Sequence, residues 1–500
     1  MPENRQSGVL LHPTSLPNPE GIGTLGAEAR AFVDWLAEAG QRLWQVLPLG
    51  PTGYGNSPYA CESAFAGNPL LIDLTILVQR GFLSEASAQA PKAKTAALAD
   101  FDTVKAWKVA ALREAHARFI RTAPPMERGA FEAFCRAPEN DFWLEDFAHF
   151  SAMKAAFGGT AWTEWPEALR DRNPAALYRW SGENEEAVDF HRFCQWLFSL
   201  QWDALRAYAH ERDVEIVGDM PIFVAHDSAD VWANPTLFFL DDEGRSVVVA
   251  GVPPDYFSKT GQRWGNPLYR WDVMSRDGFR WWVERFRTAL RQVDLIRIDH
   301  FRGFAAYWEI PGDEETAING TWVPGPGAHF FATLNHRLGD LPLIAEDLGT
   351  ITPDVHELRD RFGLPGMKIL QFAFSGPDNA YLPHNYDNPN CVVYTGTHDN
   401  DTSKGWWKGL SKEERAGVRD IIGTKERDIA WALIRAASFS TARVALFPLQ
   451  DILSLPTAAR MNEPSKPSGN WGWRFKDGDL TEALAVRLRA LTTQSNRNPT

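Results

Sequence analysis

Short apolar runs punctuate the chain at residues 9–12, 43–48, 214–219, 295–299, 343–346, 367–374, 391–397 and 444–449. Most are near-continuous Val, Ile and Leu, the pattern of parallel strands covered on both faces. Between several of them the apolar positions change to a helical period. Phe32, Trp35, Leu36 and Ala39 fall at i, i+3, i+4 and i+7, and Gly40 stops that helix. Phe279, Trp282, Val283, Phe286 and Leu290 repeat the spacing before the fourth run. After the fifth, Thr352 is set to cap, Pro353 takes the first helical position and Gly363 ends the helix. A last helix is expected from Asp479, with Glu482 three residues on and Leu480, Leu484, Leu488 and Leu491 along one face.

Strands alternating with helices predict an α/β fold, a (β/α)8 TIM barrel. Such a barrel spends roughly 31 residues per βα unit, and the interval from Glu346 to Asp399 fits two units. Two intervals are too long. Residues 1–64 carry the first two strands. Residues 65–205, rich in Ala, Glu, Arg, Phe and Trp, read as an inserted, mainly helical subdomain after strand 2. Residues 206–500 hold strands 3–8 and a second, irregular insertion at about 221–278, after strand 3.

The net charge of −13 argues against nucleic acid and against an anionic membrane surface, both of which need clustered cations. No stretch reaches about 18 apolar residues, so no membrane helix is expected. The start lacks the basic and apolar regions of a signal peptide. Cys61, Cys135, Cys194 and Cys391 are scattered and form no CxxC pair, which fits reduced thiols in a cytoplasmic protein. The 21 Trp against 10 Tyr suit a core, and equally a surface that stacks on sugar rings.

In a TIM barrel the chemistry sits where strands end. Here the run ends are polar: Asp219, then Arg297-Ile-Asp299, then Glu346, then His398-Asp399. Arg297 and Asp299 are two apart and share one strand face, while Ile296 and Ile298 take the other. The apolar pair belongs under the helices, so the charged pair faces the barrel mouth. Carboxylates beside a guanidinium, without metal-ligand spacing, fit glycoside chemistry. A retaining reaction needs a nucleophilic carboxylate and a carboxylic acid about 5–5.5 Å apart. Asp299, kept ionised by Arg297, fits the first role, Glu346 the second, and Asp399 is placed to clamp sugar hydroxyls. No cofactor or metal is called for.

Gly21-Ile-Gly23-Thr-Leu-Gly26 matches a dinucleotide fingerprint literally, but it does not directly follow a strand and no second Rossmann half appears. It reads as a loop entering the first helix. Two loops read as binding loops. One runs from Gly50 through Tyr54 and Ser57 to Tyr59. The other carries Asp255, Tyr256, Gln262, Trp264 and Asn266, and its Gly, Pro and aromatic content suits a lid.

The motifs GDMPIFVAHDSADVWAN, GVPPDYFSKTGQRWGNPLY, LIRIDHFRG, IAEDLG, GTHDNDT and RMNEPSKPSGNWGWRF together resemble those of the amylomaltases. These are bacterial 4-alpha-glucanotransferases, or disproportionating enzymes, of glycoside hydrolase family 77 in the alpha-amylase clan. The resemblance runs from LLHPTSLP to the last helix. It implies retaining transfer of an α-1,4-glucan segment, with Asp299 as nucleophile, Glu346 as acid/base and Asp399 as transition-state stabiliser. It implies that Tyr59, Asp219, Arg297 and His398 line the donor site, with Ser57 in the loop beside them. It sets the Trp264 loop, with Asp255, over the acceptor, and Asn470 in the segment after the eighth strand. It also implies no separate C-terminal β-domain. The partners so implied are α-1,4-glucans and maltooligosaccharides, acted on by a monomer or weak homodimer. Two alternatives remain at this point, an alpha-amylase-type retaining hydrolase and a non-catalytic glucan-binding protein.

Overall fold

The computed structural model describes residues 5–91, 97–254, 258–423, 427–464 and 466–497. In chain order its strands are β1 (Gln6–Leu10), β2 (Leu43–Gln45), β3 (Glu215–Pro221), β4 (Val248–Val252), β5 (Gln262–Pro267), β6 (Leu295–Asp299), β7 (Ala306–Pro311), β8 (Thr321–Pro324), β9 (Leu343–Ala345), β10 (Gly366–Ile369), β11 (Cys391–Tyr394) and β12 (Val444–Pro448). Eight of them form one parallel sheet in the order β10-β11-β12-β1-β2-β3-β6-β9. The seam between β9 and β10 is bridged by Ala345 N–H to Pro365 O at 2.9 Å. The Asp347 carboxylate adds a second tie by accepting from Met367 N at 2.7 Å. Gly366 is required beside it, because a Cβ there would stand 2.4 Å from Asp347 Oδ2. The sheet is thus a TIM barrel.

Strand parity sorts the core. Leu43, Val217, Leu295, Ile344, Ile369, Val392 and Leu446 pack together inside the barrel. Ile296 and Ile298 join the larger core that the helices cover. This is why β6 turns Arg297 and Asp299 toward the mouth, in line with Leu295.

The periodic segments are helical, with small shifts at their ends. Ala27–Glu38 follows Gly26, and Gly40 beyond it has φ 67°. Arg280–Gln292 buries Trp282, Val283 and Phe286. Pro353–Arg361 follows Thr352, whose side chain makes no capping bond. The last helix is Glu482–Gln494, and its cap is Thr481, which accepts from Leu484 N; Asp479 instead accepts from Lys476 N in the preceding turn. The run at 367–374 is extended only to Ile369 and continues as a 3-10 turn, Leu370–Phe372.

The long stretch after β2 holds the helices Phe101–Thr122, Pro125–Cys135, Leu144–Ala156, Pro174–Glu183 and Glu185–His210. The last of these packs on Leu144–Ala156 and on β3, so it joins the helical insertion to the barrel wall. A buried ion pair also ties the insertion down: Lys108 Nζ lies 2.6 Å from Glu20 Oε2 and 2.8 Å from Leu70 O. The second insertion is more regular than its sequence suggests. β4 and β5 pair antiparallel, and β7 and β8, from the loop after β6, extend them into a four-stranded sheet, β5-β4-β7-β8. A register shift between Val249 and Gly251 breaks the alternation that would have revealed it.

At the bottom of the barrel, Arg497 is fully buried and donates to the carbonyls of Gln6, Ala437, Ser438, Ser440, Ala442 and Arg443. Arg497→Met would strip these bonds from buried carbonyls, several of which keep a second donor such as Arg5, so it is expected to destabilise the fold by about 3 kcal/mol, read as a lower urea midpoint. An unchanged midpoint would mean water satisfies these groups.

Candidate active site

The site begins with a cross-strand pair. Asp219 on β3 and Arg297 on β6 are register partners. Arg297 Nη1 donates to both Asp219 oxygens at 2.8 Å and lies 2.9 Å from Asp299 Oδ1. Asp219 and Arg297 are enclosed, whereas the Asp299 side chain keeps 29% of its surface open to the cleft. One guanidinium therefore holds two carboxylates, and only the Asp299 carboxylate is open to a ligand.

Glu346 follows β9 directly. Its Oε2 accepts from the main-chain N–H of His300, the residue after Asp299, at 2.7 Å, and its Oε1 accepts from Leu348 N at 2.9 Å. His300 has φ 55°. That left-handed turn aims its N–H at the acid and brings Asp299 and Glu346 to one cleft. Burial, reinforced by the Asp299 charge, raises Glu346 to about 8 against Arg297 and the two N–H donors. Enclosure also raises Asp299, to about 6, with Arg297 opposing. Between these values Asp299 is the ionised partner and Glu346 carries the proton.

Asp399 lies on the turn after β11. Its Oδ1 accepts from Asn462 Nδ2 at 2.6 Å, and its Oδ2 faces His398 Nε2 at 3.4 Å. Enclosure alone would raise Asp399, but His398, Asn462 and Arg297 outweigh it and hold the carboxyl well below its ordinary range. The same contact lifts His398 despite its burial. Tyr59 closes the donor side. Its hydroxyl donates to Asp219 Oδ2 at 2.7 Å, and its ring stacks on His398 with centroids 5.0 Å apart. Trp471 leans on both rings, at 5.7 and 6.0 Å. On the other side, Trp264 of β5 is partly exposed and stands edge-on to His300 at 4.7 Å. Among the described residues no cluster of His, Cys, Asp or Glu is arranged to hold a metal ion.

A cleft with this arrangement at the C-terminal ends of barrel strands can do acid/base and nucleophilic chemistry. The model of glycoside hydrolase family 77, described as 4-alpha-glucanotransferase, matches residues 11–481. The chain belongs to this family. It is 52% identical over 501 residues to the 4-alpha-glucanotransferase of Thermus thermophilus, covering 99% of both chains. It is 49% identical to that of Synechocystis sp., covering 98% of both. The amylomaltase of Streptococcus agalactiae, solved in complex with acarbose, superposes with a TM-score of 0.95 at 39% identity, over 99% of this chain and 100% of that one. The chain is thus a glycosyltransferase enzyme with the amylomaltase fold.

Within this family member, Tyr59, Asp219, Arg297, Asp299, Glu346, His398 and Asp399 meet in one cleft, with Trp264 at its rim. Ser57 works one step back: its Oγ accepts from Tyr59 N at 3.2 Å and shapes the turn that presents the ring. Asn470 spends its amide on its own loop, bonding Glu463 and Lys466 main chain. Asp255 lies outside the described residues. Sequence pattern singles out neither Arg460 nor Asn462, although both lie in the RMNEPS motif. No periodicity marks them, because they act from a loop.

Proposed function

We propose that this enzyme moves α-1,4-glucan segments between maltooligosaccharides by a retaining double displacement. The observation that carries the reading is the unequal pair: Asp299 in an ion pair with Arg297, and Glu346 raised to hold a proton, joined through the His300 N–H. Glu346 protonates the bridging oxygen while Asp299 attacks the anomeric carbon. The shortened glucan leaves, and a glycosyl ester on Asp299 remains. The 4-hydroxyl of a second glucan, deprotonated by Glu346, then takes the glycosyl unit. Each step inverts the carbon, so α configuration is kept. Asp399, anionic and braced on both oxygens, faces charge that develops on the sugar in the transition state. Tyr59 and His398 form the donor wall, with the enclosed Asp219 holding the Tyr59 hydroxyl from behind, and Trp264 offers an apolar face to the acceptor. Acarbose in the Streptococcus agalactiae amylomaltase supports maltooligosaccharide-like ligands for this cleft. Among the described residues no helix is long and apolar enough to cross a membrane. The four free cysteines favour the reducing cytoplasm as its compartment.

Incubation with maltotriose tests the reaction. Glucose together with a ladder of longer oligomers is the expected product set; glucose and maltose alone would make this a hydrolase. The pH dependence of kcat/KM is expected to be bell-shaped. Activity falls below about 6, as the pair gains the proton that neutralises Asp299, and above about 8, as Glu346 loses its own. A profile flat across both limbs would contradict the assignment of the acid and the nucleophile.

A further inference from the structure

The Asp399 carboxylate is held from a loop distant from it in sequence. Asn462 lies in the loop that follows β12 and is buried. Its Nδ2 donates to Asp399 Oδ1 at 2.6 Å, and its main-chain N–H donates to His398 O at 3.1 Å. Arg460 completes the frame, with Nη2 on Asp399 O and Nε on Asn462 O, both at 2.6 Å. The loop is itself braced. Asn470 ties Glu463 and Lys466 together, and Trp471 N donates to Met461 O at 2.7 Å. Trp471 has φ 66°, a conformation that sets its ring against Tyr59 and His398. The loop thus reaches the turn bearing His398 and Asp399 at its main chain, at one side chain and through an aromatic ring.

We propose that Asn462 is a positioning residue for glycosyl transfer, whose amide N–H fixes the Asp399 carboxylate in the orientation that meets the reacting sugar. The proposal rests on the reading of Asp399 as the third carboxylate of the mechanism. The residue type matters. A carboxylate accepting a short N–H bond is restrained and favoured in its ionised form, and an amide supplies that bond without titrating. Asp399 is held well below its ordinary range partly through this donor, so it stays anionic across the pH range in which Asp299 is ionised and Glu346 keeps its proton. His398 cannot replace Asn462, because it serves the other oxygen and at 3.4 Å. Removing Asn462 leaves Oδ1 without this donor in a half-enclosed site, free to turn toward solvent.

Three variants, Asn462→Ala, Asn462→Asp and Asp399→Asn, test this by maltotriose disproportionation from acid to alkaline pH, with thermal midpoints measured in parallel. Asn462→Ala is expected to lower kcat about 10- to 100-fold, the worth of a hydrogen bond to a charged group, with KM changed less than about threefold. Asn462→Asp carries the pH signature. Its new carboxyl donates to Asp399 only while protonated, so its activity exceeds that of the Ala variant at acid pH. As pH rises the two carboxylates repel and that advantage disappears, so its alkaline limb falls below that of the parent. A residue that only props the loop would lower kcat by the same factor at every pH, with Asp tracking Ala. That outcome, or parental kcat in both Asn462 variants while Asp399→Asn is inactive, overturns the proposal. An active Asp399→Asn enzyme overturns instead the reading of the site on which it stands. Should Asn462→Ala lower the midpoint too far to assay, the near-isosteric Asn462→Asp pH profile decides alone.

Discussion

Asp299→Asn is expected to abolish transfer, with a loss of at least about 10⁴-fold in kcat on maltotriose. An amide nitrogen or oxygen at this position does not form the glycosyl ester, so the first displacement has no nucleophile. The fold is expected to persist, because the Arg297 bond to both oxygens of enclosed Asp219 does not involve residue 299. Binding of maltooligosaccharides therefore survives within a few-fold while turnover vanishes, a split read by calorimetry beside the disproportionation assay. Retention of transfer within about tenfold of the parent would remove Asp299 from the mechanism.

Glu346→Gln separates the two halves of the cycle. On maltotriose the loss is expected to be about 10³-fold, since neither leaving nor incoming oxygen finds a proton partner. Fluoride leaves without protonation, so with α-maltosyl fluoride the Asp299 ester still forms. Its breakdown by a sugar hydroxyl, which needs the base, is slow. The variant is expected to release a burst of fluoride equal to its own concentration and then stall. Its alkaline limb should also disappear, because the group that burial and Asp299 raise to about 8 is gone. Equal losses on both donors, with no burst, would mean Glu346 is not the acid.

The barrel was legible because its strands are buried on both faces and so read as unbroken Val, Ile and Leu, ending in residues that solvent and chemistry share. The parity of Arg297 and Asp299 against Ile296 and Ile298 was enough to orient β6. The sheet β5-β4-β7-β8 was not legible. Its strands come from two separate loops, carry Gly251 and Gly265, and include a register shift, so neither length nor alternation identifies them. Among the site residues, the acids at run ends stood out by type. The Tyr59 bond to Asp219 spans a separation that no local pattern encodes. The cap at Thr481 rather than Asp479 turned on which of two polar residues, two apart in the chain, meets the free N–H of Leu484. Asn462 was hidden for the same reason as the sheet: its partner is distant in sequence and its own loop has no period.

The barrel closes through a strand made late. β12 lies between β11 and β1 in the sheet, and Arg497 reaches back to the Gln6 carbonyl. A ribosome-tethered chain that has emerged only through β11 already owns Asp299 and Glu346, yet it lacks Asp399 and its brace, the neighbour that seats β1 and the Trp471 wall. Competence therefore waits on the segment from β12 to Arg497, and a product truncated before β12 is expected to be inert toward glucans.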